Sequence, residues 1–336
     1  MDKLLTVVIP TYNMERYLNN TLATLVIDDK DVMNLLEVLV VIDGATDRSS
    51  HIAHDYENKY PNVFRVIDKT NGHYGSCVNA GLKVAQGKYF KILDADDWYD
   101  NKALIETLKA LEGVNTDAVF TRFSLVYEDG RAKELKGDGS LSFNTTIYLK
   151  ETELPRSYQE MHGLMFLTKL LKDINYKQTE GICYTDTEFV YYPLMSSKTI
   201  TILPCDLYQY RIGRDEQTIS VKSMSKNIKH FENIADRLLE SDYNKEKGSF
   251  LLNCFKDRIF YCIFYIGILL NPQEGLELEM KKYMGEVYKM PKKWQDSILD
   301  RKAHGLKYIR IWYQLPKLIS TILLFPLRLY YHSKIV

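Results

Sequence analysis

No Gly-x-Gly-x-x-Gly follows the first apolar run of this 336-residue chain, and no Walker-type phosphate loop is present. The first absence removes the main support for an ordinary dinucleotide-binding fold. Disulfide and zinc frameworks are missing as well. The five cysteines, Cys77, Cys183, Cys205, Cys254 and Cys262, are scattered, odd in number and free of any Cys-x-x-Cys pair, which fits small core residues in a reducing compartment. Net charge is absent too, because 44 basic residues balance 44 acidic ones; no field gathers nucleic acid, and no nucleic-acid partner is expected. Met1 and Asp2 lead directly into an apolar run, so the expectation is that no secretory signal is present and that the start of the chain stays in the cytoplasm. The uncharged run from Ile259 to Leu270 would rise only ~18 Å as a helix against a hydrocarbon core of ~30 Å, so a buried helix is expected there rather than a span.

What is present is an ordinary globular composition, 46% hydrophobic and 26% charged, at a length that suits one large α/β domain with added helical elements. Leu4 to Ile9 is a largely β-branched run of the kind a parallel strand buried on both faces requires, stopped by Pro10-Thr11-Tyr12-Asn13. Helical spacing then leads to a second strand, Leu36 to Ile42, and the alternation continues through a helix from Ser49 to Lys59, a strand from Val63 to Ile67 and a helix that begins near Ser76 and ends at Gly87. Strands and helices alternating in this way predict a parallel sheet with helices on both faces. After a helix over Lys102 to Leu111 the pattern turns antiparallel at Ala118 to Tyr127, so the sheet is expected to be mixed. Lys198 to Tyr210 reads as a strand pair or one strand broken at Pro204, and the chain from Lys226 to Asn271 as helical.

The stretch that organises the chain is Tyr89 to Tyr99, where a strand runs straight into Asp94, Asp96 and Asp97. Carboxylates this close resist ionising together, and a hard divalent cation reverses that preference, because Mg²⁺ or Mn²⁺ takes carboxylate and phosphate oxygens. The plainer alternative is a strand-closing turn in which Asp97 or Asp100 caps the following helix. Asp43 falls at the carboxyl end of the second strand, where open parallel sheets place ligands. Asp47 beside it reads as a helix cap. Gly72 and Gly75 would let the backbone approach a ligand at a helix N-terminus suited to an anion. Asp186 sits where a later helix begins, and Arg211 and Arg214 share a loop that suits pyrophosphate. From Arg301 onward seven lysines and arginines meet no acidic side chain and interleave with Trp312, Tyr313, Phe325, Tyr330 and Tyr331. A basic, aromatic helix broken at Pro316 and Pro326 suits an element lying in a membrane interface.

Set in order, these motifs resemble the family 2 glycosyltransferases, which have the GT-A fold. Val7-Val8-Ile9-Pro10-Thr11-Tyr12-Asn13 is similar to the family's opening strand and turn, Val41-Ile42-Asp43-Gly44-Ala45-Thr46-Asp47 to its second-strand loop, and Leu93-Asp94-Ala95-Asp96-Asp97-Trp98 to its metal motif. Asp186 stands at the place of the family's catalytic base, and Gln217-Thr218-Ile219-Ser220 resembles its closing loop. Two departures are Ile42, in place of the first of an acidic pair, and Thr185, in place of the commoner Glu. The resemblance implies a nucleotide-diphospho-sugar donor, most often UDP-linked, and inversion at the anomeric carbon. It assigns Pro10, Thr11, Tyr12, Asp43, Gly72, Asn79, Asp94, Asp96 and Arg211 to the donor, Asp96 and Asp97 to Mg²⁺ or Mn²⁺, Asp186 to proton removal and His162 to the acceptor side. Residues 1–220 are then the catalytic domain, 221–300 a helical extension and 301–336 a tail that associates with the inner face of the cell membrane or packs against a second copy of the chain. A lipid-linked glycan acceptor in surface-polysaccharide synthesis follows from that placement. A sugar-nucleotide pyrophosphorylase would open on a glycine-rich basic loop, which is missing. A non-catalytic glycan-binding or scaffold protein of this fold would have no need of Asp96, Asp97 and Asp186 together.

Overall fold

The computed structural model describes residues 2–137, 139–150, 152–213, 220–241, 245–273 and 275–334. The chain divides into two compact units, Met1–Arg214 and Asp215–Val336.

The first unit is built on one ten-stranded mixed sheet. Its strands are β1 (Leu5–Thr11), β2 (Leu36–Asp43), β3 (Phe64–Lys69), β4 (Tyr89–Ile92), β5 (Trp98–Tyr99), β6 (Ala118–Tyr127), β7 (Glu134–Lys136), β8 (Thr146–Tyr148), β9 (Leu164–Leu167) and β10 (Thr199–Ile212). The order is β3-β2-β1-β4-β9-β6-β10-β5, with β7 added to β6 and β8 to β10. Strands β3, β2, β1 and β4 are parallel, as the β-branched runs predict. All eight residues of β2 are buried, which in a strand of alternating side chains requires cover on both faces. Strand β9 is the antiparallel insert between β4 and β6, and it makes the sheet mixed.

Three expectations are corrected here. Strand β6 is antiparallel to β7 and β9 but runs parallel to β10, its longest partner. Strand β10 is a single strand whose register slips between Leu203 and Tyr208; Pro204 has no N–H to give the ladder, and the strand bulges past it instead of ending. The helix expected from Ser76 starts three residues earlier, as His73–Val84.

The second unit is helical. The run expected to be a buried helix is one: Phe260, Ile263, Phe264, Ile268 and Leu269 have no exposed surface, and the helix Lys245–Tyr265 continues into a π-helical turn, Ile266–Leu270. The tail breaks at Pro316, which caps the helix Lys317–His332, but Pro326 lies inside that helix. Its missing N–H costs one internal bond, and the flanking turns carry the helix across it. Among the described residues no helix is long and apolar enough to cross a membrane.

Candidate active site

The loops that follow β1, β2 and β3 are tied to one another at the carboxyl end of the sheet. Asn13 Oδ1 accepts the Thr46 N–H at 2.8 Å, and the carbonyl of Asp43 accepts Asn71 Nδ2 at 3.0 Å. Asp43 is buried, and its Oδ1 takes both Lys69 Nζ at 2.6 Å and the Gly72 N–H at 2.9 Å. The helix N-terminus read as an anion site therefore already receives a carboxylate of the chain itself, balanced by a lysine. Pro10 and Thr11 end β1, with Thr11 buried, while Tyr12 stands 49% exposed beside them. Asp47 accepts from the N–H groups of Glu15 and Ser49 at 2.9 Å each; it starts two helices, as a capping role requires.

Gly75 does bring two backbones together, though both are the chain's own, while Gly72 makes room for the side chains of Ser76 and Lys69. A Cβ on Gly75 would lie 2.0 Å from the Thr179 carbonyl oxygen, and one on Gly72 would lie 2.7 Å from Ser76 Oγ. The loop approached in this way leads to Asp186. Asn79, read as a donor contact, has its side chain committed to the same loop: Nδ2 donates to the Gln178 carbonyl and to Glu180 Oε1, and Oδ1 accepts the Gln178 N–H, all at 2.9 Å. Buried Glu188 closes the loop from the other side by accepting both the N–H and the hydroxyl of Thr179 at 2.7 Å.

Asp186 is exposed and is the first residue of the helix Asp186–Ser196, with Thr185 in the N-cap position before it. The Thr185 hydroxyl accepts from Gln178 Nε2 at 2.8 Å.

The three aspartates after β4 divide by environment. Asp97 is fully buried; its Oδ2 accepts the Tyr208 hydroxyl at 2.6 Å and its Oδ1 the Arg211 N–H at 2.8 Å. Asp94 is half-buried and accepts the Tyr74 hydroxyl at 2.7 Å. Asp96 is half-buried, and its carbonyl accepts Arg211 Nε at 2.9 Å. The Arg211 guanidinium lies over Trp98 and Tyr17, 4.9 and 5.2 Å from their ring centres, so this arginine, expected at the donor, also clamps the carboxylate turn. Asp100, not Asp97, caps the following helix, by accepting the Ala103 N–H at 2.9 Å. Arg214 and the segment from Gln217 to Ile219 lie outside the described residues.

Burial, followed by the charges of Asp96 and Asp94, drives the Asp97 carboxyl well above the carboxylate range, while Tyr208 and the Arg211 N–H pull it down. A divalent cation would relieve that repulsion. Ligand atoms of Asp94, Asp97 and His162 lie within 4.8 Å of one another; Asp96 is not in this set. Burial, with Lys91 adding to it, pushes the His162 imidazole down to about 3, which leaves it neutral, as a metal ligand must be. The two carboxylates supply the oxygen ligands that Mg²⁺ or Mn²⁺ takes, and the neutral imidazole beside them suits Mn²⁺ better than Mg²⁺.

The charge of Asp186 acts on two tyrosines that also feel the carboxylate turn. The Tyr210 phenol is raised by burial and then by the charges of Asp97, Asp94, Asp186 and Asp96. Tyr74 is raised by burial and by Asp94, Asp186 and Asp97. Carboxylates from two distant parts of the sequence, the turn after β4 and the start of the helix Asp186–Ser196, therefore act on both rings. Beyond Tyr210 opens a cavity of about 430 Å³ lined by Phe123, Leu125, Lys136, Arg156, Glu160 and His162. His162 stacks on Tyr210 at 4.2 Å between ring centres.

The sequence reading did not single out Tyr74, Tyr208, Tyr210 or Lys91. Lys91 is fully buried within β4 and donates to the carbonyls of His162 at 2.7 Å and Leu164 at 3.1 Å. A lysine inside an otherwise apolar buried strand was the available signal.

The model of the family described as glycosyl transferase family 2 matches residues 6–174, half of the chain. The chain is 26% identical over 264 residues to the poly(ribitol-phosphate) beta-N-acetylglucosaminyltransferase TarS of Staphylococcus aureus (strain Mu50), covering 76% of this chain and 44% of TarS. It is 26% identical over 210 residues to the minor teichoic acid biosynthesis protein GgaB of Bacillus subtilis (strain 168), covering 62% of this chain and 23% of GgaB. It thus spans less than half the length of these curated relatives. Residues 1-349 of S. aureus TarS in complex with UDP-GlcNAc superpose with a TM-score of 0.65 at 20% identity, over 98% of this chain and 92% of that one. A mannosyltransferase of Pyrobaculum calidifontis in complex with GDP-Man and Mn²⁺ superposes with a TM-score of 0.51 at 14% identity, over 88% and 83% of the two chains. The fold is therefore GT-A, as the order of motifs implied, and the chain belongs to glycosyl transferase family 2.

Proposed function

We propose that the first unit moves a sugar from a nucleotide-diphospho-sugar, UDP-linked, to an acceptor hydroxyl with inversion at the anomeric carbon. The observation that carries this reading is the cluster of Asp94, Asp97 and His162, whose ligand atoms lie within 4.8 Å of one another, beside Tyr74 and Tyr210, on which the charge of Asp186 also acts. The Asp186 carboxylate takes the proton of the acceptor hydroxyl as that oxygen bonds to C1 and the bond from C1 to the diphosphate oxygen breaks. Asp94, Asp97 and His162, with Asp96 beside them, would hold Mg²⁺ or Mn²⁺, which supplies positive charge where the diphosphate departs. Pro10, Thr11, Tyr12 and Asp43 frame the base and ribose side. The cavity lined by His162, Phe123 and Tyr210 lies on the acceptor side, its aromatic faces suiting a glycan. TarS bound to UDP-GlcNAc supports the UDP-sugar donor, and the teichoic-acid relatives support an acceptor in cell-surface polymer synthesis.

The tail is read as a peripheral membrane element on the cytoplasmic face, which suits a lipid-linked acceptor. Its warrant differs from the one its charge alone provides, because Arg301, Lys307, Arg310 and Lys317 are paired with Asp257, Asp300, Asp296 and Glu277 of the same unit. Exposed apolar side chains along Lys317–His332 carry the reading instead.

Thermal shift and hydrolysis assays over UDP-, GDP- and dTDP-sugars, with and without Mn²⁺ or Mg²⁺, test the donor assignment. Stabilisation by a UDP-sugar that requires the metal is expected. Indifference to every sugar nucleotide, with or without metal, would leave a non-catalytic protein of this fold as the better reading.

A further inference from the structure

The helix Lys317–His332 presents two adjoining faces with different chemistry. Leu318, Ile322, Phe325 and Leu329, spaced four, three and four residues apart, form a stripe that is 73%, 63%, 55% and 56% exposed. Residues so spaced share one side of a helix. An apolar stripe of this length is costly in water and marks a surface that meets something apolar. About 100° around the same helix, by the α-helical repeat, Lys317, Thr321 and Arg328 line a cavity of about 400 Å³, together with Lys281, Glu277 and Trp312.

The charge in that cavity is unbalanced. Glu277 is its one carboxylate among the described residues, and it is shared by Lys281 at 3.1 Å and Lys317 at 3.3 Å. Arg328 is half-buried and uses its Nε to donate to the carbonyl of Ile268, in the π-helical turn, at 2.9 Å. Among the described residues its terminal nitrogens make no other hydrogen bond. Burial without a carboxylate lowers the pKa of this guanidinium. A cation held in this state is stabilised by an anion that offers several acceptor oxygens, and phosphate matches the fork of an arginine.

We propose that this cavity holds the phosphate of an anionic membrane lipid through Arg328, Lys281 and Lys317, while the stripe of Leu318, Ile322, Phe325 and Leu329 lies among the acyl chains. The continuity of a cationic pocket with an apolar stripe on one helix is what selects a lipid over a soluble phosphate. The inference rests on the membrane-facing part of the reading above and adds headgroup selectivity to it. It uses a pocket made wholly by the second unit, and no step of sugar transfer depends on it.

Flotation of the full chain with two kinds of vesicle, phosphatidylcholine alone and phosphatidylcholine mixed with phosphatidylglycerol, tests it. The wild type should favour the anionic vesicles. Arg328→Gln and Lys281→Gln should each bind them about fivefold more weakly, as expected for one cation near a lipid surface, and Arg328→Lys should recover part of the loss. Ile322→Ser combined with Phe325→Ser should abolish flotation with both. Inorganic phosphate should leave the melting temperature of the wild type unchanged. Should Arg328→Gln fold poorly, as its melting curve would reveal, the more exposed Lys281→Gln carries the comparison. Equal binding of wild type to neutral and anionic vesicles would overturn the headgroup site while leaving membrane association standing; absence of flotation with either would overturn both. Binding of both cation variants at the wild-type level would also sink the headgroup site, and stabilisation by inorganic phosphate without vesicle binding would reassign it to a soluble anion.

Discussion

The hydroxyl of Tyr208 donates to Oδ2 of Asp97 at 2.6 Å, between residues 111 positions apart. Both side chains are buried, and the bond fixes the carboxylate turn after β4 against β10. Tyr208→Phe removes the donor and leaves a buried carboxylate oxygen without it, which should destabilise the first unit by about 1–3 kcal/mol. Urea unfolding measures this, and an unchanged midpoint would show that the bond contributes nothing. Metal-dependent turnover should fall in the same variant, because Asp97 loses one of its two anchors.

Asp186→Asn keeps size and shape at an exposed position, so folding should be unaffected. Donor and metal should still bind while transfer falls by at least ~10²-fold, the low end of what a positioned general base contributes. Calorimetry with a sugar nucleotide, alongside a transfer assay, separates binding from chemistry. Near-normal transfer would return Asp186 to the role of an ordinary residue of a helix's first turn.

Gly75→Ala should act at a distance. The added Cβ would fall 2.0 Å from the Thr179 carbonyl, so the loop that carries Asp186 must shift. The expected outcome is a drop in kcat larger than the rise in KM for the donor, because the base moves and the donor loops do not. Unaltered kinetics would mean that the loop adapts without displacing Asp186.

Lys91 provides the pH test. Burial lowers its ammonium group to about 7, against ~10.4 in an unfolded chain. Between those values the unfolded state binds a proton that the native state does not, so this group makes stability rise with pH. Its penalty is fully present below pH 7 and fades toward pH ~10. The stability of Lys91→Met relative to wild type should therefore decline across that window. Parallel curves for the two proteins would show that Lys91 remains charged in the fold.

Residues whose chemistry needs a particular side chain were legible in the sequence. Asp94, Asp96, Asp97 and Asp186 stood out through the order of the motifs around them, because a carboxylate after a strand or at a helix start can by itself be a cap. What holds them was not legible. Tyr208 and Tyr210 are two of 25 tyrosines, and nothing local distinguishes a tyrosine that reaches across the sheet from one that packs. Gly75 was visible as a point of close approach, but the partner, Thr179, comes from a loop about a hundred residues further along the chain. The parallel pairing of β6 with β10 joins segments about 80 residues apart, which a local pattern does not reveal. Pro326 misled because a proline's local cost is small against a helix face packed through Ser320, Leu324 and Leu327.

The most direct measurement is the anomeric configuration of the product formed from an α-linked UDP-sugar, read by NMR, for wild type and Asp186→Asn with Mn²⁺ present. The account predicts a β-linked product from the wild type and at least ~10²-fold less product from the variant. An α-linked product, or equal product from both proteins, would contradict direct displacement assisted by Asp186.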